Sequence, residues 1–348
     1  MKIRTLLLLA GLLSPAAAQL QVTSPSLPNP VNVDRPFAGG IGRYQQWYSF
    51  NSLAAITEPV RIEQIDFFAG TNSLPQTVQI NCEVLVGHGK FSGVFGNFDS
   101  NWAEPPVTVK ATGNVALNAV GAGAVCMTIP FATRFTWDHV RPILVEIRIY
   151  SNSLGGGTFA YNCQGATTSI GVTSRVYASG SPGAASGTVS QGVGMITRFS
   201  ARPGVNLQYG TGCMAEGAIV PGASVVQVAS PGIIWNHQIN NAPSQRPAFW
   251  VIGDQDLRTT PIDLLPIFGL PSSPCLLYTN PVNVVGPVMT VGGGAGSGIG
   301  NLAIQLPATT GYIGASFYTQ WVVFDPLSLT GLLATTPATW SIVAPVGG

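Results

Sequence analysis

Period-two alternation constrains this chain more than any other feature. In Thr77–Val86, TVQINCEVLV, the apolar positions Val78, Ile80, Cys82, Val84 and Val86 alternate with Thr77, Gln79, Asn81 and Glu83. Pro142–Tyr150 repeats the pattern, with Ile143, Val145, Ile147 and Ile149 set against Glu146 and Arg148. Successive side chains of a strand point to opposite faces, so this pattern predicts antiparallel strands with one buried face. Two such sheets bury each other's apolar faces in a sandwich. In Pro59–Phe68 the alternation of Val60 and Ile62 with Ile65 and Phe67 is broken by one extra residue at Glu63-Gln64. A β-bulge there restores the inward phase.

Helical spacing of Leu, Ala, Glu and Lys is absent over any long window. The chain is instead cut into short Val/Ile/Thr/Phe-rich runs by 42 Gly and 27 Pro among its 348 residues, which is the pattern of many short strands and turns. Only 8% of residues are charged, while 46% are hydrophobic. This is enough apolar material for a core and excludes global disorder. The start, MKIRTLLLLAGLLSPAAAQL, has basic Lys2 and Arg4, an apolar run from Thr5 to Leu13, and small residues at Ala16 to Ala18. That is the layout of a secretory signal cleaved before Gln19. The run is too short for a membrane anchor, which needs about 20 residues. Without Lys2 and Arg4 the chain carries 13 basic and 14 acidic side chains, a net charge of −1. Such a chain lacks the electrostatic footprint that nucleic acid requires. Its few charges leave sheet edges weakly protected, which favours association with copies of itself or with a surface.

The expected organisation is all-β. A signal peptide (1–18) and a Pro/Ser-rich lead-in (19–40) precede two consecutive antiparallel β-sandwiches of jelly-roll or immunoglobulin-like type, at 41–204 and 205–348. Pro203 and Gly204 mark the break, and composition changes across it: after residue 204 the only bases are Arg246 and Arg258. Residues 155–194 read as a long surface loop with one or two strands. In the second half, Ala315, Phe317, Thr319, Trp321 and Val323 share one face of the longest strand.

Disulfides are the default expectation for cysteines of an exported chain. The second half holds only Cys213 and Cys275, so their pairing is predicted, with Cys213 opening the first strand. The first half holds Cys82, Cys126 and Cys163, which allow three pairings with one thiol left over. Cys126 with Cys163 is favoured, because Cys82 sits on an apolar face.

No motif for phosphate binding, nucleophilic catalysis or zinc is present, and no cofactor is implied. VGGGAGSGIG (Val291–Gly300) fits no dinucleotide fingerprint and reads as a loop between strands. His88, His139 and His237 are scattered and read as structural. Asp254 and Asp256 are weak calcium candidates, because a bare D-x-D supplies too few oxygens. Glu63 and Asp66 could in principle be a glycosidase pair, but three apart on a strand they face opposite sides unless the bulge intervenes. Aromatics offer sugar-stacking candidates at Trp47, Tyr48, Trp102 and Trp235. Trp47 and Tyr48 face opposite ways, so one of the two is expected at the surface.

The second half resembles a C-terminal β-module of exported, functionally uncharacterised proteins of planctomycete-type bacteria. The resemblance rests on YGTGC, VPGASVVQVASPG, NNAPSQRPAFWVIG, TPIDLLPIFGLPSSPCLLYT, NLAIQLP and ASFYTQWVVFDP. It departs at GLPSSPCLL, where the pattern has Gly directly before Cys. The first half looks like the β-sandwich that precedes this module, at EPVRIEQIDFF and SGVFGNFDSNW. The resemblance implies an exported two-module β-protein and carries over no catalytic residue. The leading expectation is a non-catalytic protein, secreted or held at the cell surface or periplasm, with a surface, envelope or adhesive role. A pair of carbohydrate-binding modules, with surface polysaccharide as partner, is the alternative. A secreted hydrolase with an unrecognised site is the third.

Overall fold

The computed structural model describes residues 19–26, 30–71, 76–269, 271 and 275–346. The expected signal peptide, 1–18, lies outside the described residues. The described chain is all-β, with antiparallel pairing between its strands and only short 3-10 turns besides. It divides into two compact units, Gln19–Arg202 and a second beginning at Pro203.

The first unit has two main sheets. One runs in the order Leu20–Ser24, Thr197–Arg202, Val60–Phe68, Val125–Trp137. The other runs Thr188–Gln191, Thr173–Ser179, Gly42–Tyr48, Ile143–Asn152, Val78–His88, Val107–Leu117. Their inner faces form one core that includes Ile62, Ile65, Phe67, Ile80, Val84, Trp137, Ile147 and Phe199. Each alternation read from the sequence lands as expected: Val78, Ile80, Cys82, Val84 and Val86 are all fully buried. The bulge is also present. Ser200 pairs with Gln64 and Ala201 with Ile62, so Glu63 is the residue without an opposite number.

Two expectations need correction. Residues 19–40 are not merely a lead-in. Leu20–Ser24 is an edge strand paired with Thr197–Arg202, and Val31–Val33 joins a small sheet with Cys163–Thr167 and Val193–Met195. Leu20 and Val22 seat the first of these strands against the core, two positions easily lost in a short segment followed by Ser and Pro. Residues 155–194 likewise hold four strands, Cys163–Thr167, Thr173–Ser179, Thr188–Gln191 and Val193–Met195. Cys163–Thr167, Thr188–Gln191 and Val193–Met195 are too short to show an alternation, and Thr173–Ser179 is placed by its pairing with Gly42–Tyr48.

The second unit pairs a sheet ordered Val205–Tyr209, Ala338–Ile342, Ser316–Phe324, Pro247–Gly253, Asn283–Met289 with a three-stranded sheet, Gly222–Val225, Ile234–Ala242, Gly298–Gln305. Trp235, Ile239, Trp250, Trp321 and Val323 fill the core between them. Cys213 and Cys275 form a disulfide in this core, with Cα atoms 4.9 Å apart. Cys213 does not open the first strand, as the sequence suggested. Val205–Tyr209 does, and Cys213 follows it in an isolated bridge to Thr335. In the first unit Cys82, Cys126 and Cys163 are buried free thiols. Cys126 and Cys163 lie close enough to perturb each other's ionisation, so the favoured pair is adjacent in space but not joined.

Candidate functional site

The outer face of the first unit's six-stranded sheet carries the richest chemistry. Cross-strand register arranges it in three rungs. Trp47, Leu144 and Gly87 form an apolar rung; Gln45, Glu146 and Leu85 form the next; Arg43, Arg148 and Glu83 form a charged one. The segment from Gly89 to Pro106 crosses this face and covers the apolar end, where Val94 and Phe98 pack on Trp47 and Leu144.

That cover explains why the aromatic candidates fall as they do. Tyr48 faces the inter-sheet core and hydrogen-bonds Thr197. Trp47 faces outward but is 4% exposed, and its Nε1 donates to the Lys90 carbonyl at 2.9 Å. The expectation that one of the two reaches the surface therefore fails, because the outward face has a small core of its own. Trp235 is also buried, packed against His237 and Trp250 in the second unit. Of the four candidates, Trp102 alone is half-exposed.

Trp102 lies beside an open groove of about 470 Å³ lined by Asp99, Trp102, Ala103, Glu104, Pro105, Pro106 and Arg148. From Leu144, on the rung where Trp102 sits, to Arg148 is four residues along one strand, roughly 13 Å. The indole is seated on Gly87. A Cβ there would stand 3.1 Å from Cε3 and Cζ3 of Trp102 and 3.2 Å from the Pro106 Cα. Glycine is thus what lets the ring lie on the strand.

Every charged group lining the groove is fastened to the sheet or to a neighbouring turn. Arg43 Nη2 donates to Asp99 Oδ1 at 2.6 Å, while its Nε donates to the fully buried Glu146 at 2.9 Å. Arg148 donates through Nε to Glu146 and through Nη1 to Glu83. Gln45 ties Glu146 to the Phe98 carbonyl, and Asn101 donates to Gln45. At the other end Glu104 is held by His88 Nδ1 and by Arg141 Nη1, the latter at 3.1 Å. Asp138 accepts from Arg141 Nε and lies 3.5 Å from His88 Nε2, an ion-pair distance too long and too poorly aimed for a hydrogen bond. The Ala103 amide donates to the His88 carbonyl at 2.9 Å, closing the clamp through the backbone.

These contacts move the titrating groups away from neutrality. Burial raises the Glu104 carboxyl, but its hydrogen bonds from His88 and Arg141 outweigh this and hold it below the usual carboxylate range. Asp138 is held lower still, with burial again outweighed by His88, the Arg141 amide and the Arg141 guanidinium. Burial lowers Arg148, but Glu146 and Glu83 more than reverse it.

The remaining candidates are accounted for elsewhere. Asp254 accepts from Asn280 Nδ2 at 2.6 Å, and Asp256 pairs with Arg258. Among the described residues no group of three or more His, Cys, Asp or Glu side chains could hold a metal ion. Glu63 is paired with Arg134 and Arg202. Asp66 is buried against Arg198, Thr128 and Gln64. The two therefore brace the outer face of the four-stranded sheet rather than flanking a cleft. Sequence reasoning put Glu83, Glu146 and Arg148 on an outward face but missed Asp99 and Glu104 as groove residues. Both sit in an irregular segment with no periodicity.

Comparison with protein-family models, with curated proteins and with solved structures returns no match. Among the described residues no helix is long and apolar enough to cross a membrane.

Proposed function

We propose that this is an exported, non-catalytic β-protein that acts by adhesion at a cell surface or envelope, with the Trp102 groove as its contact site. One observation carries the reading. The groove is a built surface in which Glu104 and Arg148 are each held in their charged form by fixed partners. Efficient proton transfer needs a group poised near the working pH. Glu104 is pushed below its ordinary range and Arg148 above it. Groups fixed in this way hold a shape and offer hydrogen bonds without exchanging protons. The Cys213–Cys275 disulfide fits an oxidising compartment outside the cytosol. The resemblance of the second half to modules of exported proteins supports the same location.

The test is retention of the purified chain on envelope fragments of the producing cell, together with a hydrolysis panel of chromogenic glycosides and esters. The expected result is saturable retention that Trp102→Ala weakens, with no turnover. Turnover that Glu104→Gln abolishes would overturn the non-catalytic reading.

A further inference from the structure

We propose that the groove beside Trp102 binds a neutral polyhydroxylated polymer, a polysaccharide chain, with the indole as the stacking surface. This rests on the adhesive reading above and names the class of ligand.

Size and lining carry the inference together. A groove of about 470 Å³ falls in the range of about 300–1,000 Å³ that ordinary ligand sites occupy. Its apolar wall is one aromatic ring with Ala103, Pro105 and Pro106, and its polar wall is two carboxylates and one guanidinium. A sugar ring has the same duality, with C–H groups on its faces and hydroxyls around its rim. Trp supplies a large apolar plane that works at a wet boundary. Carboxylates accept from hydroxyls, while a guanidinium donates to them. Both signs of charge are present and close together, so the groove favours neither a polyanion nor a polycation.

Hydrogen-bonding capacity remains for a ligand. Asp99 is 76% exposed and spends Oδ1 on Arg43. Among the described residues its Oδ2 accepts no side-chain bond, and Nη2 of Arg148 donates none. The site is also pre-shaped. Gly89 bridges to Trp102, Gly87 seats the ring, and the His88–Glu104–Arg141 clamp fixes the wall that follows. Binding to a wall that is already ordered costs little conformational entropy.

The experiment is affinity gel electrophoresis of the full chain in gels containing hydroxyethylcellulose, mannan, xylan or dextran, with alginate and pectate as acidic counterparts. The expected result is retardation by at least one neutral polymer, weakened tenfold or more by Trp102→Ala. Asp99→Ala should weaken it severalfold, and raising the salt from 0.05 to 0.5 M should leave it nearly unchanged. Gly87→Ala keeps the indole but displaces it, and should give an intermediate loss. Thermal unfolding of each variant checks that the fold survives. Asp99 lies at the surface, so its variant keeps the test alive if Trp102→Ala does not fold. Retardation by acidic polymers alone, or equal retardation of wild type, Trp102→Ala and Asp99→Ala, overturns the proposal. Envelope retention that depends on Trp102 but is competed by none of these glycans overturns the sugar assignment and leaves the adhesive reading standing. Absence of envelope retention removes the adhesive reading, and the sugar assignment then stands or falls on the gels alone.

Discussion

Acid should destabilise the second unit through a single imidazole. His237 is 2% exposed, with its ring 4.0 Å from Trp235 and 4.5 Å from Trp250 by centroid, and its Nε2 has no hydrogen-bond partner. Burial lowers its pKa to about 3 from the ordinary 6.5. The folded state therefore holds His237 neutral, while the unfolded chain takes up a proton below pH 6.5. Stability from this residue is fully present above about pH 6.5 and is lost as pH falls towards about 3. The full difference is about 5 kcal/mol at 1.36 kcal/mol per unit. Between pH 7.5 and 4.5, the linkage relation gives a loss of about 3 kcal/mol. For a unit of this size that is a fall in Tm of roughly 10 °C. The assay is thermal unfolding by tryptophan fluorescence at both pH values, for wild type and His237→Gln. The variant should be less stable at pH 7.5 but should lose about 3 kcal/mol less on acidification. Taking this difference cancels the carboxylates, which titrate alike in both proteins. Equal acid losses in the two proteins would refute the reasoning.

Three further outcomes follow from the packing. The Cys213–Cys275 disulfide spans 62 residues, so Cys275→Ala should lower the urea-unfolding stability of the second unit by about 4 kcal/mol on the chain-entropy account; a loss under 1 kcal/mol would contradict it. Glu146→Gln leaves Arg43 buried with its main counter-charge removed, and urea titration should record a loss of about 3–5 kcal/mol, with no loss meaning that the network is not what fixes the groove floor. Cys82, Cys126 and Cys163 are buried thiols, so a thiol reagent should label none of them in the native protein and all three after denaturation. Labelling of one alone would mean that Cys126 and Cys163 have joined.

What the sequence made legible was whatever local periodicity encodes. The alternation at Val78 to Val86, the extra residue at Glu63 and the pairing of the only two cysteines in the second half all follow from spacing along the chain. The groove does not. Its clamp joins His88, Glu104, Asp138 and Arg141, residues drawn from three separate stretches and brought together only by strand order. The burial of Trp47 depends on Val94 and Phe98, which lie in an aperiodic stretch that no pattern assigns to the sheet's outer face. Strand Leu20–Ser24 was missed for a related reason: what makes it a strand is a partner at the far end of its unit.

That partnership gives the first unit a vulnerable seam. Leu20 is aligned with Ala201 and Ser24 with Thr197, so the piece made first is matched to the piece made last. The sheet cannot be completed until the whole unit has emerged. Trimming those five residues would bare the backbone amides and carbonyls along one side of Thr197–Arg202, an open berth for the same pentapeptide from another molecule. Preparations clipped near position 25 should therefore associate edge to edge through the bared Thr197–Arg202 strand, and a synthetic LQVTS peptide should block that association.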